Sequence, residues 1–395
     1  MKRLLFFSII IYFATVGFSQ NSLRRNISSL GSIPTYDLSD HWNSNEFVNL
    51  SAIAESIEYI PLETNSNSMS NLDDALRISM SVSENYMVFC NLDKNICLFD
   101  SKGRFISVIG RTGKGPGEYT SVKGLKISAD EKSIWILDSG QNRLINYTSD
   151  NRWINTIKIN SNGFYFEIFD DKIYLVCISY PNRQEDSNLI EVMDMSGNII
   201  KSIPLYQDRL IGPGRVIGFT TRISMINDQL VNFETPYDTV FKLDKNDKWK
   251  PIAAFIHGPN QIPRKVYDNN TYNKDFHDYA TVKKTIENTN FYFIDGGYKQ
   301  NMSRIFVDKE NSTVSRCNYI IRDISFGWAY AGFKNDIDGL MTFWPKEIFR
   351  DKYLYSIVDS YIIIECAQKN HISLKEPLND LTENSNPVVM VVKLK

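Results

Sequence analysis

Ile109 to Tyr119, reading IGRTGKGPGEY, gathers glycines and two cations into one short span. Exposed glycine backbone can present N–H groups to an anion or a sugar, with Arg111 and Lys114 adding charge. A P-loop needs four residues between its first glycine and a Gly-Lys-Ser/Thr triplet, with a helix to follow. Here the spacing from Gly110 reaches Gly115, which is followed by Pro116 and then by a strand pattern. Gly113, Gly115 and Gly117 alternate, so the dinucleotide fingerprint fails as well. The loop therefore reads as a connector: glycine allows sharp reversal, Pro116 fixes one φ, and Tyr119 can insert between adjacent sheets. Arg111 and Lys114 are its candidate binding residues.

Other chemistry is thinly spread. The histidines, at 41, 257, 277 and 371, show no HExxH or comparable spacing. His257 and His277 flank one polar loop and could meet on one face to share a metal, but surface histidines are the plainer reading and no metal ligand is assigned. In the hairpin Tyr86 to Phe99, a turn between Asp93 and Lys94 would set Cys90 opposite Cys97, where an antiparallel pair brings Cα atoms to about 4.5 Å. That pair is either a disulfide or two small buried thiols, the plainer reading. Cys177, Cys317 and Cys366 lie far apart without metal spacing. No GxSxG elbow occurs, and no catalytic residue is assigned. Two long segments break the pattern around them, Pro259 to Thr289 and Ser325 to Phe349. The second carries Phe326, Trp328, Tyr330, Phe333, Phe343 and Trp344. Aromatic faces on such loops suit sugar rings or peptide side chains. Trp328, Tyr330 and Trp344 are the candidates, and the structural alternative is that these rings fill a gap in the core.

What must position these residues is a repeat. Tight turns recur as FDSKG (Phe99 to Gly103), YTSDN (Tyr147 to Asn151), MDMSG (Met193 to Gly197), LDKND (Leu243 to Asp247) and VDKEN (Val307 to Asn311). Asp, Asn, Ser and Gly bond their own backbone or tolerate positive φ, as tight reversals require. The steps between them are 48, 46, 50 and 64 residues. A period near 40 to 50 with three or four short strands per unit predicts a β-propeller. Five turns give five units, and the ends supply the sixth. The chain stops at VVMVVKLK with no outer strand to follow, while SIEYIPLE (Ser56 to Glu63) matches KSIPLY (Lys201 to Tyr206), the outer strand of the third unit. Proline in both copies suits an edge strand, which lacks a neighbour for the missing N–H. The expected fold is all-β, a six-bladed β-propeller closed by an N-terminal strand completing the last blade.

The stretch GRTGKGPGEY followed by LDSGQNRLINY resembles the NHL-type repeat, and more narrowly the exported bacterial six-bladed β-propeller proteins of uncharacterised function. IPLET at Ile60 to Thr64 and the terminal VVKLK are similar to that group too. The resemblance spans nearly the whole chain after residue 20, but its motifs are specific only in the first two blades and at the ends. It implies the fold and an exported location and carries no catalytic residues. Six-bladed propellers that act as lactonases or esterases hold Ca²⁺ in the central channel through Asp, Glu and Asn. No cofactor is expected here, since turns already account for most of these residues, and Ca²⁺ stays the alternative.

Composition and ends bound the function. Lys and Arg number 44 against 46 Asp and Glu, so no net field favours nucleic acid or anionic lipid. Lys2 and Arg3 precede an apolar run from Leu4 to Phe18, with Gly17 and Ser19 small enough for signal peptidase. Cleavage after Ser19 is expected, with 20–50 as an N-terminal extension and 51–395 as one propeller domain. The first cysteine is Cys90, so no N-terminal lipid anchor is expected, nor any membrane span in the mature chain. The expectation is a non-catalytic binding or scaffold propeller of the periplasm or cell surface, serving an envelope protein, a glycan or a peptide. The alternative is a metal-assisted hydrolase or lyase with its site in the central channel.

Overall fold

The structure is a computed structural model describing residues 33–395 except 69–71, 73–74, 92–94, 160–162, 178–188, 205–221, 228, 235–237, 264–277, 300, 322–324 and 326. The expected signal peptide, His277 and the turn at Asp93–Lys94 lie outside the described residues.

Six small sheets form a six-bladed propeller. Blade 1 is β3–β6 (78–109), blade 2 β7–β10 (122–158), blade 3 β11–β14 (163–204), blade 4 β15–β18 (222–256) and blade 5 β19–β22 (281–316). Blade 6 runs in the order β2 (Ala54–Pro61), β25 (Val388–Leu394), β24 (Tyr353–Val358), β23 (Glu347–Phe349). Its outer strand thus comes from the N-terminal side, in the register Ser56↔Lys393 to Pro61↔Val388. All five repeated turns join the third and fourth strands of their blades. In three of them one carboxylate accepts two backbone N–H groups: Asp100 from Lys102 and Arg104, Asp194 from Ser196 and Asn198, Asp244 from Asn246 and Lys248. Gly103, at φ 81°, lets its turn lie against Pro61, whose carbonyl would sit 2.4 Å from an added Cβ.

Buried side chains fall into six clusters, one for each gap between neighbouring blades. The hydrophobic core is therefore a ring around the axis, and the first strands of the blades are left to line a channel.

Three features depart from the sequence reading. Residues 33–50, part of the segment expected to precede the propeller, contribute to it. β1 (Thr35–Asp37) pairs in parallel with β18 (Trp249–Ile256) as a fifth strand on blade 4, and Leu38 and Trp42 then bury between blades 4 and 5. The run after Asp359 is a helix, α1 (Ser360–Lys369), within a fold expected to be all-β. Ile362, Ile363, Cys366 and Ala367 form its buried stripe against blade 6, a helical period that a short apolar run conceals. Finally, β4 (Tyr86–Asn91) and β5 (Ile96–Asp100) pair with Phe89, not Cys90, across from Cys97. A one-residue shift sends side chains to opposite faces, so Cys97 packs toward blade 6 and Cys90 toward blade 2. The two do not bond: all five cysteines are buried thiols, and burial pushes the Cys97 thiol up to about 12.

Candidate functional site

The channel holds a cavity of about 300 Å³. Its wall takes Ser79 and Met80 from β3 (Ile78–Val82), Lys123 and Lys126 from β7 (Val122–Ile127), Tyr165 and Phe166 from β11 (Gly163–Phe169), and Lys284 from β19 (Thr281–Glu287). Blade 6 adds Lys346 and Glu347, and the long aromatic segment closes one side with Tyr330, Thr342 and Trp344. Most of these residues come from the first strand of their blade, while Asp295, Arg304, Ser356, Ile357 and Met390 reach the cavity from later strands of blades 5 and 6.

Five cations reach this wall, Lys123, Lys126, Lys284, Arg304 and Lys346, against two carboxylates, Asp295 and Glu347. Arg304 is the most constrained. Its Nε lies 3.1 Å from Asp295, its Nη groups donate to the carbonyls of Ala329 and Ala331, and its guanidinium sits 5.4 Å from the Trp344 ring. It thereby pins the aromatic segment to blade 5. Lys346 donates to the Ala75 carbonyl at 2.7 Å. Lys126 lies 2.7 Å from Glu167. Burial opposes its charge, but Glu167, with Tyr165 and Glu347, outweighs that and holds the ammonium above the usual lysine range. Lys123 rests 4.1 Å from the centre of the Phe164 ring, and burial lowers its ammonium.

The aromatic segment serves two purposes. Phe333, Phe343 and Trp344 pack with Phe293 and Phe306 in the gap between blades 5 and 6. Tyr330 and Trp344 also line the cavity. Tyr330 donates to Asp359, which also accepts the N–H of Ala75 at 2.8 Å and so ties blade 6 to the approach of blade 1. The Trp344 indole N–H is buried with no acceptor among the described protein atoms. Trp328 lies in a short 3-10 turn, Gly327–Tyr330, and its side chain is outside the described residues.

Arg111 and Lys114 lie elsewhere, exposed on the connector between blades 1 and 2. There the Glu118 carboxylate accepts the Gly115 N–H at 2.7 Å and pairs with Arg111 at 2.6 Å, so the loop cradles an anion of its own. Tyr119 inserts between the blades, accepting the Ile96 N–H and donating to the Ile109 carbonyl. Gly117, at φ 73°, passes so close to Tyr147 that a Cβ would lie 2.9 Å from its hydroxyl. His257 is fully buried, not at the surface: the Trp42 indole donates to its Nδ1 at 3.0 Å, and its Nε2 faces Asp238 at 2.9 Å. Among the described residues, no group of three or more His, Cys, Asp or Glu is arranged to hold a metal, and none of the helices is long and apolar enough to cross a membrane.

Sequence reading reached Tyr330 and Trp344 but not the lysines. The signal available for them was positional: Lys123 and Lys126 in VKGLKI and Lys284 in TVKKTIE belong to first strands, whose inward face a propeller turns to its axis.

Solved structures share this architecture. A Bacteroides fragilis protein described as exported superposes with a TM-score of 0.68 at 16% identity, over 92% of this chain and 100% of that one. A member of the DUF4221 family from Bacteroides vulgatus gives 0.52 at 14% identity, over 87% and 97%. A virginiamycin B lyase from Staphylococcus aureus gives 0.43 at 9% identity, over 85% and 99%. At such identities the likeness is one of fold alone. No curated protein matches the chain in sequence. One family pattern does, from the residues leading into β1 to the end of β25: the chain belongs to DUF4934, a domain of unknown function, matched over residues 33–393.

Proposed function

We propose that this chain is an exported, non-catalytic binding propeller of the bacterial envelope, and that it holds a small ligand in the central cavity in the course of glycan or peptide handling. The observation that carries this reading is convergence. Blades far apart in sequence send cations and aromatic rings to one concave space on the axis, of the size and mixed character that ligand pockets have. Export is supported by the apolar segment after Lys2 and Arg3 and by the Bacteroides fragilis propeller of similar fold, which is described as exported. Tyr330 and Trp344 belong to the site on this reading, and Arg111 and Lys114 to the connector.

The test is a thermal-shift panel of envelope monosaccharides, disaccharides and short peptides, run on the wild type and on Ser79→Phe, which fills the cavity from blade 1. Ligands present well above their dissociation constants should raise the wild-type Tm by about 2 °C or more. The same ligands should leave Ser79→Phe unmoved. Equal shifts in both proteins would place binding outside the cavity. Metal analysis of protein purified without chelator separates the alternative, because a metal-assisted hydrolase or lyase requires stoichiometric Ca²⁺ or Zn²⁺.

A further inference from the structure

Charge is distributed unevenly between the chain and its cavity. Across the whole sequence acidic residues slightly outnumber basic ones, yet the cavity wall sets five cations against two carboxylates, with Glu167 behind Lys126 as a third. The structural explanation for such cations is bracing. Arg304 does brace, pairing with Asp295 and donating to the carbonyls of Ala329 and Ala331, and Lys346 donates to the Ala75 carbonyl. Taken together, five cations against three carboxylates still leave a positive excess. Within a recess of mixed polar and apolar lining, that excess is screened less than it would be on an open surface and its field is focused. Lys123 feels the cost directly, since burial disfavours its charged form and its ammonium rests on a ring instead of a carboxylate.

We propose that the ligand of this cavity is a compact organic anion, its carboxylate, sulfate or phosphate group drawn to Lys123 on blade 2 and Lys284 on blade 5. The inference rests on the binding reading above and narrows it to one chemical class. A volume of about 300 Å³ admits a single ring with its charged substituent. The rings of Tyr165 and Tyr330 line the remainder of the space, where the apolar face of such a ligand can pack.

The test is calorimetric titration with glucuronate, glucose 6-sulfate and inorganic phosphate, each against glucose as the neutral probe. At least one charged probe should bind about tenfold or more tightly than glucose, as expected for hydrogen bonds to charged groups. Lys123→Gln should weaken that probe about tenfold while Lys123→Arg, which keeps the charge, retains it. The winning probe identifies which anionic group the site prefers. Glucose binding as tightly as glucuronate would overturn the anionic assignment and leave cavity binding standing. Equal affinity in Lys123→Gln would overturn it as well, and so would the absence of saturable binding by all three charged probes at millimolar concentration.

Discussion

A chain beginning at residue 65 will show no cooperative unfolding transition and will aggregate, whereas a chain beginning at residue 33 will fold. The shorter chain loses β1 and, with the larger consequence, β2. The latter strand pairs with β25 along its whole length, from Ala54↔Leu394 to Pro61↔Val388. Ile57 and Tyr59 pack into the gap between blades 5 and 6, and Ile60 and Leu62 into the gap between blades 6 and 1. Full burial of such side chains is worth about 1.5–3 kcal/mol each, against a total stability of about 5–15 kcal/mol for a typical domain. Even with three of the four only half-buried, their loss takes a large share. Beyond β2, the Asn386 side chain donates to the Glu63 carbonyl at 2.7 Å and its backbone N–H to Thr64 at 2.8 Å, so the seal continues past the strand. Without β2, VVMVVKL becomes an unpaired apolar edge, the kind of strand that pairs with other chains. Calorimetry and circular dichroism on the two truncations check this. An unchanged, cooperative transition in residues 65–395 would mean that the ring does not depend on its N-terminal strand.

Trp42→Ala should cost about 3–5 kcal/mol, the range for emptying a fully buried aromatic site. The indole sits between blades 4 and 5 with Tyr36, Leu38 and Phe255. Its fit is tight enough that a Cβ at Gly296 would lie 2.6 Å from the ring. Its N–H fixes the His257 tautomer by donating to Nδ1, which leaves the ring proton on Nε2 facing Asp238. Trp42→Phe keeps most of the packing and should cost less, about 1–3 kcal/mol for the buried acceptor left without its donor. Urea denaturation of both variants reads the order directly. A Trp42→Ala protein within about 0.5 kcal/mol of the wild type would behave like a surface substitution and contradict the latch.

The fold was legible because its devices are local or duplicated. Asp-centred turns repeat at a propeller's period, and the Ile-Pro-Leu shared by Ile60–Leu62 and Ile203–Leu205 points to two edge strands, one of them displaced to the other end of the chain. Three things were not legible, each for a physical reason. The α1 stripe is short enough that Ile362, Ile363 and Cys366 fit strand or helix alike, and only the surroundings decide. The Cys90–Cys97 alignment depended on a turn centre, and half a residue there changes the face on which a side chain lies. The cationic wall is assembled from strands more than 150 residues apart: Lys123 and Lys284 are unremarkable one at a time and acquire meaning only when six blades close a ring. The aromatic segment lay between these cases. Its composition marked it as either core or site, and Trp344 packs in the core while also lining the cavity.

The most direct measurement is a crystallographic difference map from protein isolated from its native cell envelope. The account predicts density for a small ligand inside the ring, within hydrogen-bonding distance of Lys123 and Lys284. A ligand seated on an outer loop above water alone in the channel would contradict it.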